Sequence, residues 1–370
     1  MASAPRFIML GGFLGAGKTT AISQLANRFR TAGKNVAIVT NDQATDLVDT
    51  LTLRSQGFNV GEVAGSCFCC NFDALTSTVE SLSQTQRPDV VLAEPVGSCT
   101  DLVATVIRPL EQIYSQPFEI APYGVIIKPS HGAKILGGTG QRGFSPKAEY
   151  IFRKQIEEAD FVILNRIDEL SQDQLDDLTA KLAEQYPTTP VLRISAKRGD
   201  GFDALCQHLE QQGEFGQRVM DVDYDIYAEG EAELGWLNCQ ADLRGNSQFD
   251  LDQFLLALLR QLHQRLLGMG AETAHLKVIG MAEGVYAVAN LVSNEDQPVL
   301  SLAANWQGAQ ADLVVNARVA TSPEELETIV RDTLAGQASA IGATIEIRSL
   351  QCFRPGRPVP THRMTANLRT

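Results

Sequence analysis

The sequence predicts an α/β protein with a doubly wound, mostly parallel sheet, followed by a smaller α+β unit. Over roughly the first 212 residues, short runs rich in Val, Ile and Leu alternate with segments of helical spacing. This alternation is typical of a parallel sheet buried on both faces. Beyond residue 235 the order becomes strand, helix, two or three strands, helix and strand, which is the βαββαβ-like pattern of split βαβ folds.

The individual elements follow from these patterns. In the first unit we expect strands at 6–10, 36–40, 89–94, 124–128, 160–165 and 191–195. In the second we expect strands at 236–243, 275–281, 285–292, 312–319 and 344–352, with helices at 250–267 and 323–340. The predicted organisation is a first domain at 1–212, an acidic solvated linker at 213–234, a second domain at 235–353 and a basic extended tail at 354–370. The tail is expected to be a loose, solvated terminus.

Composition excludes several classes of protein. The 370 residues carry a net charge of −13, so nucleic acid is not an expected partner, because phosphate backbones bind basic surfaces. No run approaches the roughly 18 apolar residues of a membrane span, and no signal peptide is recognisable. Seven cysteines, three of them within four positions, do not form a disulfide framework. We therefore expect a cytoplasmic protein with no membrane partner.

Residues 12–19, Gly-Phe-Leu-Gly-Ala-Gly-Lys-Thr, match G-x-x-x-x-G-K-[ST] between a predicted strand and a predicted helix. In such a loop, backbone N–H groups and the helix N-terminus surround phosphate. Lys18 would reach the outer phosphates and the Thr19 hydroxyl would ligate Mg²⁺. The motif predicts a P-loop NTPase fold whose nucleotide site includes Gly12, Gly15, Ala16, Gly17, Lys18, Thr19 and Thr20.

Two further segments supply candidates for the γ-phosphate and for Mg²⁺. A predicted strand ends in Glu94, where P-loop enzymes place an acid that holds Mg²⁺, and the N–H of Gly97 would face the γ-phosphate. Asp42 would orient or deprotonate the attacking water, and Asp49 would reach Mg²⁺. Acids in loops are also common as solvated residues, and that alternative stays open for both aspartates. Lys18, Asp42 and Glu94 are the candidate catalytic residues.

Asn165, Arg166 and Asp168 match N-[KR]-x-D after another predicted strand. The carboxylate of Asp168 would accept hydrogen bonds from N1–H and the 2-amino group of guanine, a donor pair that adenine lacks. Ser195 and Ala196 follow the next strand and would lie behind the base. The alternative is an aspartate that merely opens an acidic helix. The order of the motifs favours guanine, so GTP is the expected nucleotide.

Cys67, Cys69 and Cys70 place three thiols within four residues. Thiols at this spacing converge, and converging thiolates suit Zn²⁺ or a similar ion such as Co²⁺. Structural burial and a redox pair are the alternatives. Three ligands leave one coordination position open, so the bound metal would be exchangeable. Cys99 would either approach this group or be buried on its own, and burial is favoured.

The order of four motifs, at residues 12–20, 67–70, 94–97 and 165–168, resembles that of CobW-type GTPases, which are related to the nickel-insertion GTPases of urease and hydrogenase. The resemblance covers residues 6 to about 212, and the Cys-x-Cys-Cys element is its most specific part. Asn41, Asp42 and Asp49 resemble that family's Asn-Glu loop with its later Asp, and Arg166 stands where the family usually has Lys.

This resemblance implies a GTP-hydrolysing metal chaperone or insertase that forms homodimers, at least transiently, and delivers its metal to a client metalloprotein. GTP would favour metal loading, and hydrolysis would free the metal. Two other functions stay open at this point. One is a P-loop kinase of a small molecule, which would leave the thiols and the guanine motif unexplained. The other is a non-catalytic GTP-binding metal sensor.

Overall fold

The computed structural model describes residues 4–42, 48–114, 117–137 and 145–365. Backbone contacts divide the chain into two compact units. Of the described residues, the first unit holds those up to 42, Gln56–Gly230, and those from Arg357 onward. The second holds residues 48–55 and Glu231–Gly356. The second unit therefore includes a short segment from the first half of the chain, and the first unit includes the C-terminal tail.

The first unit is built on a parallel sheet. Its strands are β1 (Arg6–Gly11), β2 (Val36–Asp42), β3 (Asn59–Ala64), β4 (Val90–Glu94), β5 (Glu119–Ile120), β6 (Gly124–Ile127), β7 (Phe161–Leu164) and β8 (Val191–Arg193). The spatial order is β3-β2-β4-β1-β6-β7-β8, with β5 beside β1, and every described pairing in it is parallel. Strands β1, β4, β6 and β7 are buried at every residue, which explains their near-continuous apolar sequences.

Helices connect these strands. They are α1 (Lys18–Thr31), α2 (Val48–Ser55), α3 (Phe72–Thr85), α4 (Arg108–Gln112), α5 (Pro129–Leu136), α6 (Pro146–Glu158), α7 (Gln172–Gln185), α8 (Phe202–Leu209) and α9 (Tyr224–Glu231). A π-helical turn spans Val103–Ile107 and a 3₁₀ turn spans Ile167–Glu169. Local sequence sets the ends: α7 begins at a capping box formed by Ser171 and Gln174. Loops at the carboxyl ends of the parallel strands gather at one edge of the sheet, where α/β proteins bind ligands.

The second unit is an antiparallel sheet with helices. Its further elements are β9 (Gly235–Asp250), α10 (Leu251–Gly268), β10 (Thr273–Ala282), β11 (Val285–Leu291), β12 (Val299–Leu302), β13 (Gln307–Val319), α11 (Pro323–Ala340) and β14 (Ala343–Phe353). The strand order is β12-β11-β10-β13-β9-β14. Residues of α10 and α11 share a buried apolar cluster with one face of this sheet. Because successive strand residues point to opposite faces, Ile279 and Val314 lie on the other face, where Leu51 of α2 packs against them.

The predicted fold class is confirmed. A large parallel sheet with helices precedes a separate antiparallel unit in the order βαβ-β-β-βαβ, and the helix predicted at 323–340 has those bounds. Three strands were not predicted, and one of them, β5, is only two residues long. In β3, Gly61 and Glu62 interrupt the apolar pattern, and β12 is only four residues long and half exposed.

Two of the predicted connecting segments differ from expectation. The acidic stretch at 213–234 contains α9, whose Tyr227 is 1% exposed, so this stretch is not solvated throughout. The prediction of a loose, solvated tail is wrong for residues 357–365, because their backbone and side chains make hydrogen bonds within the first unit. Among the described residues, no helix is both long and apolar enough to cross a membrane.

Candidate functional site

The glycine-rich loop, residues 12–19, joins β1 to α1. Gly17 takes a left-handed conformation with φ of 93° at the start of α1, and a Cβ at this position would lie 2.5 Å from Nδ2 of Asn165. Glycine is therefore required here both by the backbone angle and by the close neighbour. Lys18 is buried, and its Nζ donates to the carbonyl oxygens of Gly12, at 2.9 Å, and Phe13, at 3.5 Å. The ammonium group of Lys18 therefore lies over the loop that the sequence predicts to bind phosphate.

Thr19 and Glu94 meet beside this loop. The Thr19 hydroxyl donates to Oε1 of Glu94 at 2.8 Å, and Glu94 is 5% exposed at the end of β4. Gly97 approaches from the same segment: a Cβ there would lie 2.9 Å from Nζ of Lys18 and 3.0 Å from the backbone nitrogen of Leu14. The predicted Mg²⁺ ligands Thr19 and Glu94 and the predicted γ-phosphate sensor Gly97 are therefore next to the lysine. Thr20 is exposed on α1.

Asn165 holds the predicted base-binding segments together. Its Nδ2 donates to the carbonyl oxygen of Ala16 at 2.8 Å, and its Oδ1 accepts from the backbone N–H groups of Arg166, at 2.8 Å, and Ala196, at 2.9 Å. Asn165 is 2% exposed, and Ser195 beside Ala196 is fully buried. The side chain of Asn165 therefore fixes the loops after β7 and β8 against the glycine-rich loop.

Asp168, the predicted acceptor for guanine, has a largely buried carboxylate. Its side chain is 7% exposed, and its buried Oδ1 accepts no hydrogen bond from any residue that the structure describes. Its other oxygen lies 3.8 Å from Nε of Arg198. A buried carboxylate oxygen without a partner is costly unless a ligand supplies the donor. Arg166 has φ of 60° and turns its guanidinium to Glu169, at 3.4 Å.

Cys67, Cys69 and Cys70 form a compact cluster in the loop between β3 and α3. The three sulfur atoms lie within 4.8 Å of one another; those of Cys67 and Cys69 are 2.9 Å apart and those of Cys69 and Cys70 are 3.6 Å apart. A tetrahedral ion with bonds of about 2.3 Å to sulfur holds its sulfurs about 3.8 Å apart. The cluster therefore fits a thiophilic ion after a small opening of the Cys67–Cys69 distance. Cys67 and Cys69 are buried, and Cys70 is half-buried.

Two thiols of the cluster, those of Cys69 and Cys70, have raised pKa values. Mutual hydrogen bonding, first with Cys67, raises the pKa of Cys69 well above its usual range, and burial adds to the shift. The pKa of Cys70 is raised to about 11, chiefly by the hydrogen bond with Cys67. A metal ion that binds here must therefore displace thiol protons.

Asn41, the next-to-last residue of β2, fixes the cysteine loop. Its Nδ2 donates to the carbonyl oxygens of Val63, at 2.9 Å, and Ser66, at 2.7 Å. Its Oδ1 accepts from the N–H of Phe68 at 2.7 Å. Asn41 is 8% exposed, and its bonds to Val63 and Phe68 are buried, whereas the bond to Ser66 is partly buried. The end of β2 and the cysteine loop are therefore one connected structure.

Buried polar side chains of α6 hold the segment that follows Gly97. Nε2 of Gln155 donates to the carbonyl oxygens of Gly97, at 3.1 Å, and Cys99, at 2.8 Å. Glu158, which is fully buried, accepts from the Thr100 hydroxyl at 3.3 Å and from the N–H of Val103 at 3.0 Å. This segment therefore has a defined position between the glycine-rich loop and the cysteine loop.

The C-terminal tail covers the cysteine loop and the segment after Gly97. The N–H of Thr361 donates to the carbonyl oxygen of Cys69 at 2.8 Å, and the ring of His362 packs edge-on against Phe72. Arg363 makes a 2.7 Å ion pair with the buried carboxylate of Asp101. Burial raises the pKa of Asp101, and the hydrogen bond from Arg363 opposes that shift. The tail is thus part of the site's structure.

The structure brings many of the predicted site residues together, and some residues that support them were not predicted. The side chains of Asp42 and Asp49 lie outside the described residues; the backbone of Asp42 ends β2, and that of Asp49 belongs to α2. The supporting roles of Gln155 and Arg363 were not predicted, because an isolated polar residue in a helix or tail gives no signal of its distant partner. Asn41 was named in the sequence analysis, because it directly follows the strand predicted at 36–40, but its contacts with the cysteine loop were not predicted.

Glu158 generates a pH prediction. Burial raises the pKa of Glu158 to about 8, whereas an unfolded glutamate ionises near about 4.3. Between these values the folded chain keeps a proton that the unfolded chain has lost, so the free energy of unfolding falls as the pH rises through this window. In Glu158→Gln, denaturant unfolding from pH 5 to 8 should show a smaller fall than in the wild type. An equal fall in the free energy of unfolding for the wild type and Glu158→Gln would contradict this prediction. The control is Glu157→Gln, at the neighbouring exposed position, which should match the wild type.

Comparison with known proteins agrees with this architecture. Residues 6–193 match the CobW/HypB/UreG nucleotide-binding domain. Zinc chaperone CobW from a Sinorhizobium species is 24% identical over 267 residues, which are 61% of this chain and 72% of that protein. Zinc chaperone CobW from Pseudomonas aeruginosa is 26% identical over 219 residues, 51% of this chain and 56% of that protein.

Among solved structures, the zinc-bound YjiA GTPase of Escherichia coli aligns with 91% of this chain and 99% of its own, at 14% identity and a TM-score of 0.37. Because that TM-score is low, the assignment depends on the sequence match over residues 6–193, which is half of the chain. The chain with this glycine-rich loop and this cysteine cluster belongs to the CobW/HypB/UreG nucleotide-binding family.

Proposed function

We propose that this protein is a GTP-hydrolysing metal chaperone that carries Zn²⁺, or a similar ion such as Co²⁺, on Cys67, Cys69 and Cys70 and delivers it to a client metalloprotein. The observation that carries the proposal is the mutual approach of three sulfurs within 4.8 Å in the same unit as the glycine-rich loop. Relatives named zinc chaperones support the choice of cargo. A homodimer and a cytoplasmic location belong to the same proposal.

At the nucleotide end, the chain's own groups would bind and orient GTP. Lys18 would exchange its two loop carbonyls for phosphate oxygens, which are stronger acceptors because they are charged. Gly12, Gly15, Ala16 and Gly17 would supply backbone N–H groups, and Asp168 would use its unpaired buried oxygen for the guanine edge. Asp42 would orient the attacking water.

Thr19 and Glu94 would hold Mg²⁺, and a contribution from Asp49 stays a prediction. The 2.8 Å contact between the Thr19 hydroxyl and Glu94 supports this assignment, because a hydroxyl and a carboxylate that converge beside a phosphate-binding lysine are the donor set that Mg²⁺ takes in P-loop proteins. Bound there, Mg²⁺ would neutralise charge that develops on the phosphates. Glu94 would also fix the orientation of the Thr19 side chain.

The link between nucleotide and metal would run through β2. Asp42, the candidate for water positioning, directly follows Asn41, and the side chain of Asn41 makes three hydrogen bonds to the cysteine loop. A change in the strand end on hydrolysis would therefore alter the backbone that positions the thiols. Such a two-state element is what coupling of two sites requires.

Two other functions are separated from this one by simple assays. A small-molecule kinase would transfer the γ-phosphate to an acceptor, whereas a GTPase releases inorganic phosphate with the protein alone. A GTP-binding sensor without turnover would release none with any metal. The thiol cluster favours a chaperone over a kinase, because phosphorylation of a metabolite has no use for it.

Base selectivity gives the first test. In Asp168→Asn, a donor replaces one carboxylate oxygen opposite the donors of guanine, so GTP affinity should fall by at least about tenfold, since a bond to a charged group is worth roughly 1.5–3 kcal/mol. ATP affinity should not fall in parallel. Calorimetric titration of both nucleotides measures the change, and the exposed neighbour Glu169→Gln is the control. An unchanged GTP affinity would show that Asp168 does not bind the guanine base.

Metal binding and its coupling give the second test. Purified wild-type protein should bind Zn²⁺ through the cluster, and its affinity should be higher with a non-hydrolysable GTP analogue than with GDP. Cys69→Ser should lose tight Zn²⁺ binding and keep GTP binding, because the two sites use different side chains. Cys206→Ser, on α8, is the matched control. Equal zinc affinity in both nucleotide states would contradict the proposed coupling. An unchanged zinc affinity in Cys69→Ser would contradict the proposed metal site.

A further inference from the structure

Cys99 lies beside the cysteine cluster. It is 1% exposed, and its thiol hydrogen-bonds with that of Cys69. Its sulfur does not belong to the group of three that lie mutually within 4.8 Å. Cys99 is therefore a neighbour of the cluster, next to Cys69. Sequence considerations favoured plain burial for Cys99. The structure places it both in the core and against the thiols.

A fourth sulfur would supply the ligand that the cluster lacks for a four-coordinate metal site. Closed zinc sites are four-coordinate and tetrahedral, and three protein ligands leave the fourth position to water or to an exchanging group. Sulfur is the ligand that a soft or borderline ion prefers. Cys99 is therefore chemically matched to the open position, and a movement toward Cys67 and Cys70 would bring it there.

The backbone connects Cys99 to the nucleotide site over two residues. Gly97 presses against the glycine-rich loop, where a Cβ would lie 2.9 Å from Nζ of Lys18. The N–H of Cys99 donates to the carbonyl oxygen of Val96 at 3.0 Å, and Gln155 holds the carbonyl oxygens of both Gly97 and Cys99. Residues 96–99 thus form one turn that hydrogen bonds hold together, so a displacement of Gly97 would also displace Cys99.

We propose that Cys99 is the fourth thiolate ligand of the carried metal, and that it joins Cys67, Cys69 and Cys70 when GTP is bound. This inference rests on the proposed function. As the Cys99 sulfur binds the ion, its thiol proton passes to solvent, and no electron transfer is involved. With GDP the turn relaxes, the ion keeps three thiolates and a labile fourth position, and the cargo can leave for a client.

The test uses Co²⁺ as the spectroscopic probe on the full-length protein. The thiolate-to-Co²⁺ charge-transfer absorbance grows with the number of coordinated sulfurs, and strong visible ligand-field bands mark tetrahedral geometry. With a non-hydrolysable GTP analogue, Cys99→Ser should lose about a quarter of the wild-type charge-transfer intensity, as expected when one sulfur of four is removed. Cys206→Ser should match the wild type. With GDP, the wild type and Cys99→Ser should give the same spectrum.

A second measurement keeps the inference falsifiable if Cys99→Ser folds poorly. Zn²⁺ should protect four cysteines of the wild type from alkylation in the GTP-analogue state, and mass spectrometry of the peptides should include Cys99 among them. Protection of the other three alone, or an unchanged cobalt spectrum in a folded Cys99→Ser, overturns the fourth ligand and leaves the proposed function standing. A wild type with no thiolate-bound metal in either state overturns both.

Discussion

The side-chain amide of Asn41 is the interaction on which this site depends. One residue uses both ends of its amide to hold three backbone groups, at Val63, Ser66 and Phe68. The contacts to Val63 and Phe68 are buried, so these two groups would lose a buried hydrogen bond if the amide were removed, and such a loss costs about 1–3 kcal/mol for each group. The thiols therefore take their positions from a strand that also carries a candidate catalytic aspartate.

Other buried polar side chains fix the position of the neighbouring segment, which follows Gly97. Gln155 and Glu158 of α6 hold the segment after Gly97 from one side, and Arg363 of the tail holds Asp101 from the other. Paired buried polar groups favour a single arrangement, since an alternative arrangement leaves more of them unpaired. Two such arrangements, selected by the nucleotide, would be enough to change the affinity for a metal ion without a large motion.

Much of this site could be predicted from sequence, because its chemistry is carried by short motifs. The glycine-rich loop, the Asn165–Asp168 segment and the cysteine triplet each place their functional groups within a few residues, and the chain folds them as local units. Cys99, Gln155 and the tail act through partners roughly 30 to 260 residues away. Their roles depend on tertiary packing that no local pattern encodes. For the same reason β3, which has little apolar periodicity, was recognised only from its pairing with β2.

The most direct measurement of the central claim is zinc affinity of Asn41→Ala in two nucleotide states. Removal of this amide should lower Zn²⁺ affinity by about 10- to 100-fold, as is usual for groups that orient metal ligands, and should abolish the difference between GDP and a non-hydrolysable GTP analogue. The exposed Asn35→Ala, just before β2, should behave as the wild type. A folded Asn41→Ala protein that keeps both the wild-type affinity and its nucleotide dependence would contradict the account.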